Sequence, residues 1–224
     1  LYYRTGLAVP LVVRAPAGGG FSGGPFHSEC PEAWFLHAPG IKVACPATPA
    51  DASQLLRAAV LDENPVLLLE QKHLYTRVRG AIDLAAPVPP LAGAAVRRPG
   101  RDVTAVTWGA TLHLALAAAE ACAAQGVEVE VIDLRVLCPL DWPTVLASVR
   151  RTGRALVAHE AHLDFGPGAE LAARIADEAF ADLDAPPRRV GAAFHPIPFS
   201  RPLEEGALPS SASIAAALLD LAAW

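Results

Sequence analysis

Three short aliphatic runs, Val103 to Trp108, Val127 to Leu134 and Ala155 to His159, are separated by stretches with helical patterning. Strands this apolar must be covered on both faces, and helices lying between them make parallel pairing the natural arrangement. The helices read as Gly109 to Ala124 (stopped at Gly126), Trp142 to Arg150 and Ala169 to Phe180. Arg188 to Gly191 reads as a short last strand, followed by a proline-rich loop and a terminal helix from Ser213 to Ala223. Such a series of βα units predicts an α/β, doubly wound domain.

The part before residue 100 alternates in the same way but more loosely. Val9 to Arg14 predicts a strand ended by Pro16, and Gly18 to Gly24 a glycine-rich loop. A short helix from Pro31 to Leu36 and a strand from Ile41 to Ala44 come next. Thr48 caps a helix running through Val60; Asn64-Pro65 breaks the chain before a buried strand, Val66 to Glu70. Prolines at 87, 89, 90 and 99 and Gly100 predict a linker. The expected organisation is therefore a first domain over 1–84, a linker over 85–100 and a second domain over 101–224.

Composition excludes several classes. With 53% hydrophobic and 18% charged residues the chain can bury a core. The charge of 18 − 23 = −5, with no basic run, argues against nucleic-acid or membrane-surface partners. No apolar run reaches the roughly 18–20 residues of a membrane span. Cys30, Cys45, Cys122 and Cys138 form no C-x-x-C pair, so a reducing, cytoplasmic setting is expected rather than a disulfide or zinc framework. Leu1-Tyr2-Tyr3-Arg4 lacks an initiator methionine and reads as mid-chain sequence, which leaves a mitochondrial matrix location open.

Two motifs overlap in the glycine loop. Gly18 to Gly23 fits G-x-G-x-x-G, and Gly20 to Gly24 fits G-x-S-x-G. Both need a strand that turns directly into a helix, and Pro16 and Gly23-Gly24-Pro25 oppose that turn. A loop with close backbone contacts is the expectation. His27 follows it, between a loop and a helix start, where an imidazole can trade protons near neutrality. Cys30 lacks an evident third member for a nucleophilic triad.

The stretch His27 to Pro46 (HSECPEAWFLHAPGIKVACP) resembles the beta subunit of thiamine-diphosphate-dependent 2-oxo acid dehydrogenases of pyruvate, branched-chain or acetoin type. Asp62-Glu63-Asn64-Pro65, Glu130 to Arg135, Pro139-Leu140-Asp141, Thr152-Gly153-Arg154 and His159-Glu160-Ala161 continue the resemblance in order along the chain. It implies part of a thiamine pyrimidine-binding domain followed by a transketolase C-terminal domain. It also implies oxidative decarboxylation of a 2-oxo acid with acyl transfer to a lipoyl group. The implied partners are an alpha subunit holding the diphosphate and Mg2+, a second beta subunit in a two-alpha, two-beta assembly, and a lipoyl-bearing acyltransferase. The family's cofactor-activating glutamate is expected upstream of Leu1.

Within this chain the resemblance places the active-site histidine at His27, with Glu29 where the family usually has glutamine. A carboxylate there would favour imidazolium if the two side chains meet. A monovalent-cation (K+) site falls on Val9, Leu11, Val12, Ala59, Asp62 and Asn64, with Val12 replacing a threonine of some relatives. Asp62 to Asn64 also reads simply as a turn before Pro65. His159-Glu160 and Gly166 to Glu170 read as packing or subunit-contact features. Two alternatives stay open: a transketolase-like or deoxyxylulose-phosphate-synthase-like chain, and a non-catalytic module that docks the acyltransferase.

Overall fold

The computed structural model describes residues 6–224; the reading of Leu1 to Arg4 lies outside the described residues. Two sheets carry the fold. The first has strands β1 (Val12–Ala17), β2 (Lys42–Ala44) and β3 (Val66–Gln71), with β1 and β2 both parallel to the central β3. Helix α1 (Glu32–Leu36) precedes β2, and α2 (Pro49–Val60) connects β2 to β3. Thr48 Oγ1 accepts from Asp51 N and Pro49 occupies the first turn, so the start of α2 falls where its sequence signals place it.

β1 begins and ends three residues later than expected. Pro10 bends the chain into a three-residue turn in which Leu11 N donates to Val9 O (2.8 Å), delaying the strand. Pro16 does not stop it, because β1 is an edge strand and a missing N–H there costs no ladder bond. A short helix, α3 (Lys72–Arg77), follows β3 without a sequence signal that marked it.

The second sheet holds β4 (Ala95–Arg98), β5 (Val103–Thr107), β6 (Val129–Asp133), β8 (Ala155–His162) and β9 (Arg188–Ala192) in the order β4-β6-β5-β8-β9. All pairs are parallel except β4 with β6. The segment expected as linker thus carries an edge strand, held by pairs such as Val96 with Ile132. Helices α4 (Thr111–Ala123) and α8 (Ser211–Ala222) cover one face, packing Leu112, Ala115, Ile214 and Leu218 on Val103, Ala105, Val129 and Leu156. Helices α5 (Trp142–Thr152) and α6 (Pro167–Glu178) cover the other with Val145, Val149, Leu171 and Ile175. Thr104, on the α5 side of β5, is buried and hydrogen-bonded to Ser148 (2.6 Å) and Thr152 (2.8 Å), which removes the cost of its hydroxyl. Another helix, α7 (Arg201–Ala207), stands where a proline-rich loop was expected.

One strand crosses between the sheets. After β6 the chain turns at Arg135, a non-glycine residue with φ 57°, and β7 (Val136–Cys138) pairs antiparallel with β2 of the first sheet. Around this crossing, Asp51 of α2 meets Arg97 of β4 and Arg135 (3.2 Å), while Arg97 also bonds Asp133 (2.9 Å). Asp51 and Asp133 are both buried, so the two halves are joined by ion pairs largely removed from water.

Candidate active site

The carboxyl ends of the parallel strands point toward one another across the two sheets. Open α/β sheets bind ligands at such ends; here the second sheet's crevice is filled by residues of the first half. Gln71, at the end of β3, accepts from Ala110 N and donates to Cys30 Sγ (3.6 Å). Gly109 has φ 57°, and a Cβ there would fall 2.3 Å from Gln71 Oε1, so this close approach requires glycine. Trp108 is buried beyond β5, donates Nε1–H to Glu32 Oε1 (3.1 Å) and stacks on His159 at 5.1 Å.

Burial sets the charge states in this junction. It pushes the Glu32 carboxyl up to about 7, with Oε2 lacking a partner among the described residues. It pulls His159 down to about 4, leaving a neutral imidazole whose Nδ1–H donates to Ala161 O (3.0 Å). Burial, reinforced by Glu32 and Glu160, raises the Cys30 thiol well above its ordinary value, which opposes thiolate chemistry. Gly166 and Gly168 make room for the His159 ring: a Cβ on Gly168 would lie 2.3 Å from Nε2. That segment packs as the sequence suggested.

The glycine loop neither turns into a helix nor hangs free. The next helix starts only at Glu32, so neither overlapping motif forms its defining geometry. Gly18, Gly19, Gly23 and Gly24 are buried. Two carboxylates from the second half hold the loop's N–H groups. Glu160, at the end of β8, accepts from Gly19 N at 2.5 Å; burial raises its pKa, and that bond opposes the rise. Glu204, buried in α7, accepts from Gly20 N (3.0 Å) and Ser22 N (2.8 Å). A cavity of about 820 Å³ opens against this clamp, walled by Gly20, Ser22, His73, Arg77, Glu160 and Glu204. The surrounding prolines make this stretch read as loop and so hide Glu204; Ser200 before Pro202 is the start signal it offers.

His27 stands exposed beyond the loop, in a turn where His27 N (3.2 Å) and Ser28 N (3.0 Å) donate to Gly24 O. Glu29 does not partner it. Its carboxylate lies 3.5 Å from Nε2 of His162, whose Nδ1–H donates to Ala193 O (2.8 Å), because the chain turns Glu29 toward β8.

The residues assigned to a cation gather at one corner, around the start of β1 and the end of α2. Val9 N donates to Glu63 O (2.9 Å), and the carbonyls of Val9, Leu11 and Ala59 accept from Leu11 N, Val66 N and Asp62 N. Val12 pairs with Val66 in the sheet. Each carbonyl has a second lone pair, which fits a hard, weakly charged ion. Burial opposes ionisation of Asp62, but bonds from Lys42 Nζ (2.5 Å) and Asn64 (2.9 Å) outweigh it and hold the carboxyl below its ordinary value. Asp62 is thus already neutralised by Lys42, a poor setting for a divalent ion.

The chain belongs to the transketolase C-terminal domain family, whose model matches residues 92–214, and a transketolase pyrimidine-binding domain matches residues 3–77. It is 40% identical, over 96% of its length and 47% of the relative, to the pyruvate dehydrogenase E1 component subunit beta of Rhizobium meliloti (strain 1021). It is 45% identical, over 90% of its length and 58% of the relative, to the 3-methyl-2-oxobutanoate dehydrogenase subunit beta of Mycobacterium tuberculosis. The acetoin:2,6-dichlorophenolindophenol oxidoreductase subunit beta of Cupriavidus necator is 42% identical over 93% of this chain and 61% of its own. The chain spans about half the length of the curated relatives it matches. In fold it is similar to a split-gene transketolase, described as an inactive beta4 tetramer, with TM-score 0.72, 23% identity and coverage of 99% of this chain and 70% of that one.

Proposed function

We propose that the chain acts as the beta component of a 2-oxo acid dehydrogenase, decarboxylating a 2-oxo acid and passing the acyl group to a lipoyl arm in a reducing, cytoplasm-like compartment. The observation that carries this is identity of 40–45% over at least 90% of the chain to beta subunits named for pyruvate, 3-methyl-2-oxobutanoate and acetoin. On this proposal an alpha subunit holds the diphosphate and Mg2+ in a two-alpha, two-beta assembly, and K+ sits at the corner formed by Val9, Leu11, Val12, Ala59, Asp62 and Asn64.

Thiamine diphosphate, when bound between the subunits, supplies the electron sink for loss of carbon dioxide. His27 fits a group presented to such a shared site, because its ring is exposed on a backbone held from behind. Its part is to hold a proton and release it toward the thiolate that forms as the lipoyl disulfide opens. General acid catalysis of this kind contributes about 10²–10⁴-fold. Decarboxylation needs no proton from this loop.

The test uses the full-length protein assembled with its alpha subunit. Turnover of pyruvate or 3-methyl-2-oxobutanoate with an artificial electron acceptor is expected from the assembly and not from this chain alone. His27→Ala is expected to lower acylation of an isolated lipoyl domain far more than decarboxylation. Turnover by this chain alone, or ketol transfer between sugar phosphates in place of 2-oxo acid turnover, would overturn the proposal. Equal losses in the two half-reactions would reduce His27 to cofactor positioning.

A further inference from the structure

We infer that Glu204, seconded by Glu160, is a positioning residue that sets the place of His27 from the opposite domain. The inference rests on the role proposed for His27. A loop with glycines at 18, 19, 20, 23 and 24 is expensive to order, since glycine loses more backbone freedom than any other residue. This loop is nonetheless largely buried; Glu29 O takes Gly18 N and the His73 ring meets Gly20 O from the first half, but the N–H groups of Gly19, Gly20 and Ser22 are all held by carboxylates of the second. Glu204 Oε1 takes Gly20 N and Oε2 takes Ser22 N, so N–H groups two residues apart converge on one anion, as in a backbone nest. Gly20 has φ 80° and Ser22 has φ 60°. For serine that is a left-handed conformation that needs a partner to hold it.

The same carboxylate also faces the far side of the turn. Ser28, buried immediately after His27, directs its hydroxyl toward Glu204 Oε1 at 3.5 Å. Glu204 therefore touches the chain on both sides of residues 23–27, and Glu160 fixes Gly19 just upstream. His27, exposed at its own ring and bonded through its N–H to Gly24 O, is thus flanked on both sides by residues bonded to α7 and β8. A misplacement of about 1 Å at a reacting group costs roughly 10²-fold, so the clamp need move little to matter. Because α7 belongs to the second half, displacing it would be felt at a histidine of the first.

The experiment is a double-mutant cycle in the assembled complex, with Glu204→Gln and His27→Ala singly and together. Glutamine keeps one acceptor and turns an NH2 donor onto a backbone N–H. Lipoyl acylation by Glu204→Gln is expected to fall about 10–100-fold, with no further loss when His27→Ala is already present. Hydrogen exchange at Gly20 and Ser22 is expected to rise at least about tenfold in Glu204→Gln, whether or not cofactor is loaded. Additive losses would mean that Glu204 acts other than through His27 and would overturn the inference. So would unchanged loop exchange, or an acylation loss in His27→Ala alone, which leaves the role of His27 standing. No loss in His27→Ala itself defeats that role and the inference with it. Should Glu204→Gln fail to fold, Glu160→Gln carries the same cycle through the Gly19 bond, with the same outcomes deciding.

Discussion

Strand β1 of the first half and strand β5 of the second differ sharply in burial. Every residue of β5 is buried, as is every residue of β6 beside it, whereas Val13, Arg14 and Pro16 of β1 face solvent. The second sheet is wrapped by its own helices on both faces. The first sheet has α2 on one face, but on the other its Val43, Leu67 and Leu69 join a core built with Val106, Ile132, Leu137 and Val145 of the second half. It also takes β7 as its fourth strand. Similar strands thus give one half that closes around itself and one that is completed by its neighbour.

The sharpest way to break this comparison is to cut it. A fragment of residues 92–224, which keeps β4, is expected to fold cooperatively, and residues 6–91 without β7 are expected to stay unfolded. Circular dichroism and urea titration of each would decide, and a protease-resistant first half would reverse the contrast. Next in size is Asp51→Ala, which strips Arg97 and Arg135 of a buried partner across the halves. Removing one member of such a group costs about 3–5 kcal/mol, readable as a lower denaturation midpoint. A loss under about 1 kcal/mol would show that packing alone joins the halves.

Glu32, which reaches from the first half to Trp108 in the second, predicts a smaller, pH-dependent effect. Its carboxyl titrates near 7 in the native state against about 4.3 when unfolded. Between those values the native state binds the extra proton. Its contribution is therefore full below about pH 4.3 and is lost as pH rises through 7. Glu32→Gln is expected to flatten that slope and to gain about 1–3 kcal/mol at pH 8. An unchanged pH profile would mean that water reaches the carboxylate. The smallest effect belongs to the cation corner of the first half. Potassium at ten times its Kd should stabilise by about 1.4 kcal/mol over a bulky organic cation at equal ionic strength. Coincident melting curves would remove the site.

Legibility in the sequence followed the same division. Long apolar runs with helical spacers, such as Val103 to Trp108 before the alanine-rich α4, announce themselves through periodicity and need no partner to be read. The three residues of β7 do not, because Val136–Cys138 is a strand only by virtue of β2 lying beside it. β4 was hidden by the prolines around it, and α7 by Pro196, Pro198 and Pro202. At the candidate site, His27 and the glycine loop were visible from composition and resemblance. Their attachment to Glu160 and Glu204 was not, since those carboxylates lie 141 and 182 residues from the N–H groups they hold. Glu29 shows the converse, since nearness in sequence to His27 left open whether the two side chains meet, and the turn of the backbone gives its carboxylate to His162.

The indole sandwiched between Glu32 and His159 also makes the junction spectroscopically visible. Of four tryptophans, Trp34 and Trp224 are exposed and Trp142 lies under the Arg174 guanidinium at 4.1 Å. Trp108 is fully enclosed where the two halves meet. Its emission belongs at the blue edge of the spectrum and out of reach of a soluble quencher such as iodide. Light from that one ring therefore reports parting of the halves separately from changes around the exposed Trp34 and Trp224, with no dye attached.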